Sequence, residues 1–359
     1  MKNNPTYLSS LTFPRFVLSI LVVIVHFGLH LAIFQGERVS NILQFMGVAI
    51  SFFFFLSGFV LAYNYDNKTN VKLFWVKRFA RIYPSYILSF VSVFILLLIT
   101  DRPIPTLSNS ILNALGLQSW NAGYALELNF PSWSLSVEFF FYLIFPVLTF
   151  FFYKMSWKKA SLAALIIWIL GLLQHIYFMD NLYDPDRFFV EQFILYFPLF
   201  HLSTFIAGFA AGKGIHRKLN AKNNKASISW MPFLIATIGI FSFIYLLSFE
   251  NPARFYGHNG ALVPIFLLIT YGLSLDTKIY PKLIGTKPMI YLGELSYGIY
   301  IWQFAIYLVF TLLFGTTLFS LSEFFIYLIS LILFSALMYR FFEKPSHSFI
   351  VKAFRKKQQ

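Results

Sequence analysis

Five ionisable side chains stand in stretches that are otherwise apolar: Arg15, His26, Arg78, Arg81 and Glu138. Arg15 and His26 share one apolar run, Leu11 to Phe34, whose 24 residues suffice to cross a bilayer. Eleven positions are about three helical turns, so the two share a face and lie ~16 Å apart along the axis. A permanent cation and a titratable imidazole are thus offered by one helix, and ionisable groups at membrane depth mark functional paths. Arg78 and Arg81 also share a helical face. Two planar guanidiniums suit a phosphate-bearing ligand, although the same pair fits ordinary charge flanking a span. Glu138 ends the stretch Pro131-Ser132-Trp133-Ser134-Leu135-Ser136-Val137-Glu138. A buried carboxylate needs a partner, and one that holds an imidazole orients it. His26, at matching expected depth, is the partner this reading selects.

Two chemistries fit these groups. In the first, the arginines hold a phosphorylated cytoplasmic donor and His26 is general base on an acceptor hydroxyl, an acyl transfer. In the second, His26 and Glu138 relay protons in a transporter or flippase. Ionisable residues are sparse beyond the fourth apolar run, which weakens the relay. The ~16 Å from Arg15 to His26 is comparable to the reach of an extended pantetheine arm, which favours transfer.

The elements that must position these groups are membrane helices. The 359 residues are 58% hydrophobic and only 12% charged, about half the charged fraction of soluble domains. Repeated runs of helical length argue for an all-α polytopic bundle of about ten spans rather than a barrel. The expected spans are 11–34, 42–63, 79–100, 132–152, 160–178, 192–211, 229–249, 260–275, 289–314 and 321–342. The N-terminus runs into the first without a visible cleavage site. The basic residues sort between alternate loops, 22 against 4, with Arg15 and Arg340 inside spans. The positive-inside rule then places both termini in the cytoplasm, and topology accounts for the net charge of +14 without nucleic acid. The segment 101–131 reads as a re-entrant or surface-lying stretch over the outer face, and 212–229 as a basic linker. With no cysteine, thiolate metal sites and thiol nucleophiles are excluded. The seven histidines include no zinc-type pair with an intervening glutamate, so no metal is expected.

Six motifs in order resemble the acyltransferase-3 family of membrane O-acyltransferases. They are Arg15-x10-His26; the run from Phe52 to Leu61; Arg78-x-x-Arg81 followed by Ile82-Tyr83-Pro84; Trp133-Ser134-Leu135-Ser136-Val137-Glu138; Leu292 to Tyr300; and Glu343-Lys344-Pro345. The resemblance implies one transmembrane domain over 1–359, with a basic cytoplasmic tail at 346–359 and no fused soluble domain, in the bacterial cytoplasmic membrane. It implies transfer from cytoplasmic acyl-CoA, usually acetyl-CoA, to an extracytoplasmic glycan such as O-antigen or exopolysaccharide, with no permanently bound cofactor. It further implies that His26 is the base, that Arg15, Arg78 and Arg81 hold the donor, and that Glu138 supports the centre. Ser136, Trp133, Ser296 and Tyr297 are candidates for oxyanion or acceptor support. Direct transfer and an acyl-histidine relay both fit. Gln303 departs from the pattern, standing where the family often has histidine. His201 and Thr204 stand where it often has arginine and glutamate.

Overall fold

The computed structural model describes residues 8–65, 70–184, 186–221, 230–249 and 258–357. Among them all regular structure is helical. Eight helical segments are long and apolar enough to span a membrane, and two shorter apolar helices, Met231–Leu247 and Val263–Leu275, accompany them. These ten coincide in order with the ten expected spans. The chain is a multi-pass membrane protein. Lys2, Lys68, Lys222, Lys225 and Arg254, used in the charge sorting, lie outside the described residues, as does the expected linker beyond Ala221; its first part, 212–221, is no linker but the end of the helix Leu202–Ala221.

Helix α1 (Phe13–Phe27) starts with a proline in its first turn, where the missing N–H costs nothing. It stops seven residues short of the expected end. Gly28 closes it, with its N–H on the Ile24 carbonyl, and a β-carbon there would strike the Phe324 ring at 2.7 Å. The chain then turns, pinned where the His30 ring meets the Phe319 carbonyl at 2.8 Å. It continues as α2 (Glu37–Gln44) and α3 (Gly47–Asn64). Next, α4 (Val71–Ile99) begins eight residues earlier than expected, because Asn70 caps it by accepting from the Leu73 N–H at 3.0 Å. Arg78 and Arg81 therefore lie inside this helix rather than at its mouth.

The stretch 101–131 carries a short helix, α5 (Leu107–Ala114), and folds back into the bundle. Tyr83 donates to the Ala114 carbonyl and Tyr86 to that of Asn113, both from the middle of α4. Gln118 and Ser119 hydrogen-bond Ser132 and Trp133 where α6 (Trp133–Lys154) begins. Irregular backbone at that depth is tolerated because protein surrounds it. Helix α7 (Trp157–Asn181) follows, then α8 (Phe188–Tyr196). Pro198 separates α8 from α9 (Leu202–Ala221), so the expected sixth span is two helices with a 3-10 turn between. Helices α10 (Met231–Leu247), α11 (Val263–Leu275), α12 (Lys287–Phe314) and α13 (Leu321–Met338) complete the spans. A π-helical turn, Tyr339–Glu343, joins α13 to α14 (Lys344–Lys356), so the basic tail is helical and packs along α4.

The centre of the bundle is α3 against α9. Phe54, Phe55 and Phe59 of α3 are at most 2% exposed. The approach is close because glycines line it: a β-carbon on Gly208 or Gly212 would lie 1.9 or 2.1 Å from the Phe55 or Phe59 carbonyl oxygen. Gly208 and Gly212 form a GxxxG pair, the spacing that lets membrane helices meet backbone to backbone. Gly208→Leu should cost about 1–3 kcal/mol or more by overpacking. Thermal unfolding in detergent reads this directly, and an unchanged midpoint would contradict the close approach.

Candidate active site

Two places on α1 organise the site. At its outer end, His26 occupies the last helical turn and keeps an exposed ring. The ring lies 2.8 Å, through Nδ1, from Oε1 of Gln303 on α12. The amide of Gln303 is fixed in turn: its Nε2 donates to the Tyr300 carbonyl at 2.8 Å, and the residue is fully buried. With Nε2 committed, the oxygen faces the imidazole, so Nδ1 must carry the proton. Nε2 of His26 is left as an acceptor, the form a base requires. The ring of Phe130, 4.8 Å away at 76°, closes one side of the imidazole.

Deeper towards the basic end lies a cavity of about 210 Å³ whose wall includes Arg15, Arg78, Glu138, Tyr142, Ser296 and Tyr297. Five of these six are residues the sequence singled out. Glu138 accepts from Ser57 of α3 at 2.6 Å. Tyr142, one turn further along α6, and Arg78 flank the same carboxylate. The guanidinium of Arg78 donates to the Tyr65 hydroxyl at 2.8 Å. Its carbon lies 5.3, 5.8 and 5.9 Å from the ring centres of Tyr65, Phe74 and Tyr142. Stacking of this kind suits arginine's planar, weakly hydrated head. Its Nε is buried without a hydrogen-bond partner, so one donor remains for an anion.

The geometry corrects four expectations. First, His26 and Glu138 are not partners: the imidazole pairs with Gln303, while the carboxylate pairs with Ser57 and Tyr142 in the cavity. The departure at Gln303 therefore sits directly on His26. Second, Arg78 and Arg81 do not form one clamp. Arg81 lies 5.7 Å from the Tyr339 ring centre and close to Glu343, off the cavity wall. The π turn causes this by presenting Tyr339 and Glu343 to α4; π turns recur at functional positions. The hydroxyl of Tyr339 also donates to Glu294, with Lys344 4.0 Å from the same carboxylate, so three of the six motifs meet here.

Third, Ser296 and Tyr297 line the cavity but spend their hydroxyl protons on the carbonyls of Gly293 (2.8 Å) and Ile82 (2.7 Å). Neither is a free oxyanion donor. Fourth, Trp133 and Ser136 are off the cavity wall. Trp133 stacks on His258 at 5.6 Å and meets Tyr196 at 4.7 Å with the rings tilted by 54°. Ser136 is fully buried, its hydroxyl without a partner. His201 belongs to the group around Trp133, since its Nε2 and that of His258 both point at the Leu195 carbonyl, at 3.0 and 2.9 Å. Thr204 is buried against Gly260, where a β-carbon would lie 2.2 Å from its hydroxyl. Both departures fill a packed polar core behind α6.

Sequence reasoning missed Ser57, Tyr65, Ser134 and Tyr300. Ser134 donates to the Tyr300 hydroxyl at 2.9 Å, and Tyr300 to the Pro131 carbonyl at 2.8 Å, so the cavity roof is tied to the backbone bearing Gln303. Tyr142 had a signal in its spacing of four from Glu138 on one helical face. Ser57 lies in the motif run from Phe52 to Leu61, with nothing to single it out there, and Tyr65 had no signal. Among the described residues, no group of three His, Cys, Asp or Glu is placed to hold a metal ion.

A family model described as an acyltransferase domain matches residues 8–340. The chain is 26% identical over 284 residues to the acyltransferase MdmB of Streptomyces mycarofaciens, covering 76% of this chain and 70% of that protein. It is 28% identical over 289 residues to the peptidoglycan O-acetyltransferase OatA of Listeria monocytogenes, covering 73% of this chain and 44% of the relative. The chain thus aligns with less than half the length of the second protein. No solved structure matches it.

Proposed function

Because this chain belongs to the acyltransferase-3 family, we propose that it is an O-acetyltransferase of the bacterial cytoplasmic membrane, moving the acetyl group of cytoplasmic acetyl-CoA to a hydroxyl of an extracytoplasmic glycan. The observation that carries this reading is the order along α1. A cationic, phosphate-compatible cavity opens at the basic end, and a histidine set up as a base stands at the other. The name of the Listeria relative adds a glycan acceptor and acetyl transfer as precedent. Arg78 and Arg15 receive the donor's phosphates and the pantetheine arm runs towards His26. The acceptor hydroxyl gives its proton to Nε2 of His26 and its oxygen attacks the thioester carbonyl. The C–S bond breaks, and the departing thiolate takes the proton back from the imidazolium. The products are the O-acetyl ester and free CoA. Glu138 sets a carboxylate near Arg78 on the same cavity wall.

The test is labelled acetyl-CoA with purified protein in proteoliposomes and a surface glycan on the opposite side. Label appearing in the glycan is expected. Solute movement coupled to a proton gradient without CoA turnover would instead favour transport. Gln303→Leu isolates the imidazole's orientation. It removes one hydrogen bond to a group that becomes charged, worth about 1.5–3 kcal/mol, so kcat should fall roughly 10- to 150-fold. KM for acetyl-CoA should not change. A rise in KM with kcat intact would place Gln303 in binding instead.

A further inference from the structure

A second and larger cavity lies on the far side of α3 and α9 from the proposed centre. It is a groove of about 770 Å³ between α7, α9 and α11, and its wall is predominantly apolar, with Leu165, Trp168, Leu267 and Leu268 along it. Leu165, Leu267 and Leu268 are 38–48% exposed, so it opens towards the lipid. One end differs from the rest. Arg217 and Lys218, in the last turns of α9, line it there, beside Tyr271 of α11. Lys218 donates to the Tyr271 hydroxyl and lies over its ring. No carboxylate lines the groove. Asp276, just past α11, spends both oxygens on the backbone N–H groups of Lys278, Ile279 and Tyr280. At the same end, Ser161 has a buried hydroxyl without a hydrogen-bond partner. Trp157, the first residue of α7, packs edge-on against Gly214. This end is the one the basic residues assign to the cytoplasm.

We propose that the groove is a binding site for an anionic phospholipid of the cytoplasmic leaflet. Its phosphate sits between Arg217 and Lys218, the Ser161 hydroxyl donates to the head-group region, and the acyl chains run along the leucines. Charge complementarity selects this occupant. Two cations without a neighbouring carboxylate, at interfacial depth, face the leaflet that carries anionic lipid, and basic pockets between spans recognise such head groups. Tryptophan at the rim fits the same depth. A zwitterionic lipid would fill the apolar length and bring a phosphate, but its choline cation would be set against the two basic side chains, which favour a head group of net negative charge.

The experiment is competitive lipid binding to the full chain in detergent, read by native mass spectrometry and by thermal midpoint. Phosphatidylglycerol is compared with phosphatidylcholine of the same acyl chains, and glycerol phosphate serves as the head group alone. Phosphatidylglycerol should be retained and raise the midpoint, whereas phosphatidylcholine and glycerol phosphate should do neither. Each basic residue near the surface contributes about 1 kcal/mol, so R217Q/K218Q should weaken phosphatidylglycerol roughly 30-fold, or about 2 kcal/mol. The charge-preserving R217K/K218R should retain binding, and K158Q/K159Q, which changes cations off the groove wall, should match wild type. Equal retention of the two lipids, tight phosphatidylglycerol binding in R217Q/K218Q, or an equal loss in K158Q/K159Q would overturn the site. Saturation by glycerol phosphate alone would also overturn it, because a free anion and not a lipid would then be the ligand.

Discussion

His26→Ala should lower the rate of acetyl transfer by a factor of roughly 10²–10⁴, the usual contribution of a positioned general base, with little change in the affinity for acetyl-CoA. The split follows from geometry. The imidazole stands in the last turn of α1, ~16 Å along the axis from Arg15, and is not on the wall of the cavity that holds Arg78 and Glu138. Removing it leaves that cavity intact. The substitution also leaves the fold, because the ring is exposed and its one hydrogen bond is to Gln303. Steady-state kinetics with purified protein, together with CoA binding by calorimetry, separate the outcomes. A variant that loses CoA affinity in step with rate would place His26 in the donor site. Wild-type transfer by the alanine variant would remove it from the chemistry altogether. His26→Gln sharpens the test. A glutamine side chain approximates the ring's hydrogen bonding but takes no proton at neutral pH, so it should be as inactive as alanine if proton transfer is the role.

Much of the architecture was readable because membrane helices announce themselves by length and hydropathy. Ten expected spans met ten apolar helices, and the Arg15–His26 spacing survives because it lies within one continuous helix. The partner of His26 was not readable. Depth was counted from span ends, and one of them shifted: Gly28 ends α1 seven residues early, while α6 opens at Trp133, within one residue of expectation. The early end puts the imidazole in the last turn of α1, away from the cavity that holds Glu138. The true partner, Gln303, is 277 positions away. Such pairing is set by how α12 packs on α1, where Gly293 lets the Thr12 backbone come close, and no local pattern encodes it. The fate of Arg81 had the same origin. Spacing of three correctly put it on Arg78's side of α4, but the π turn after α13 brings an aromatic ring and a carboxylate to it first. Ser296 shows the third kind of limit. A serine within a helix can satisfy its own turn, as this one does at Gly293, and sequence does not say which way its hydroxyl points.

Arg78 and Arg81 then separate the two readings of the donor site by experiment. Arg78→Ala should weaken acetyl-CoA binding by roughly 30-fold or more. Losing a hydrogen bond to a charged group costs about 1.5–3 kcal/mol, and here Glu138 also loses the favourable charge beside it. Arg78→Lys should recover only part of that loss. An ammonium restores charge but not the flat face that rests among Tyr65, Phe74 and Tyr142, nor the free Nε–H left for a phosphate. Arg81→Ala should cost a few-fold at most in donor affinity, because its guanidinium is turned to Tyr339 and Glu343. Its loss should appear instead as a lower thermal midpoint, since it lies where α4 meets the π turn. Calorimetric titration of CoA into each variant, with thermal unfolding as the fold control, gives both numbers. A two-arginine clamp requires equal losses of affinity. Unequal losses, with Arg78 far ahead, are expected because, of these two, Arg78 lines the cavity a phosphate would enter and Arg81 does not.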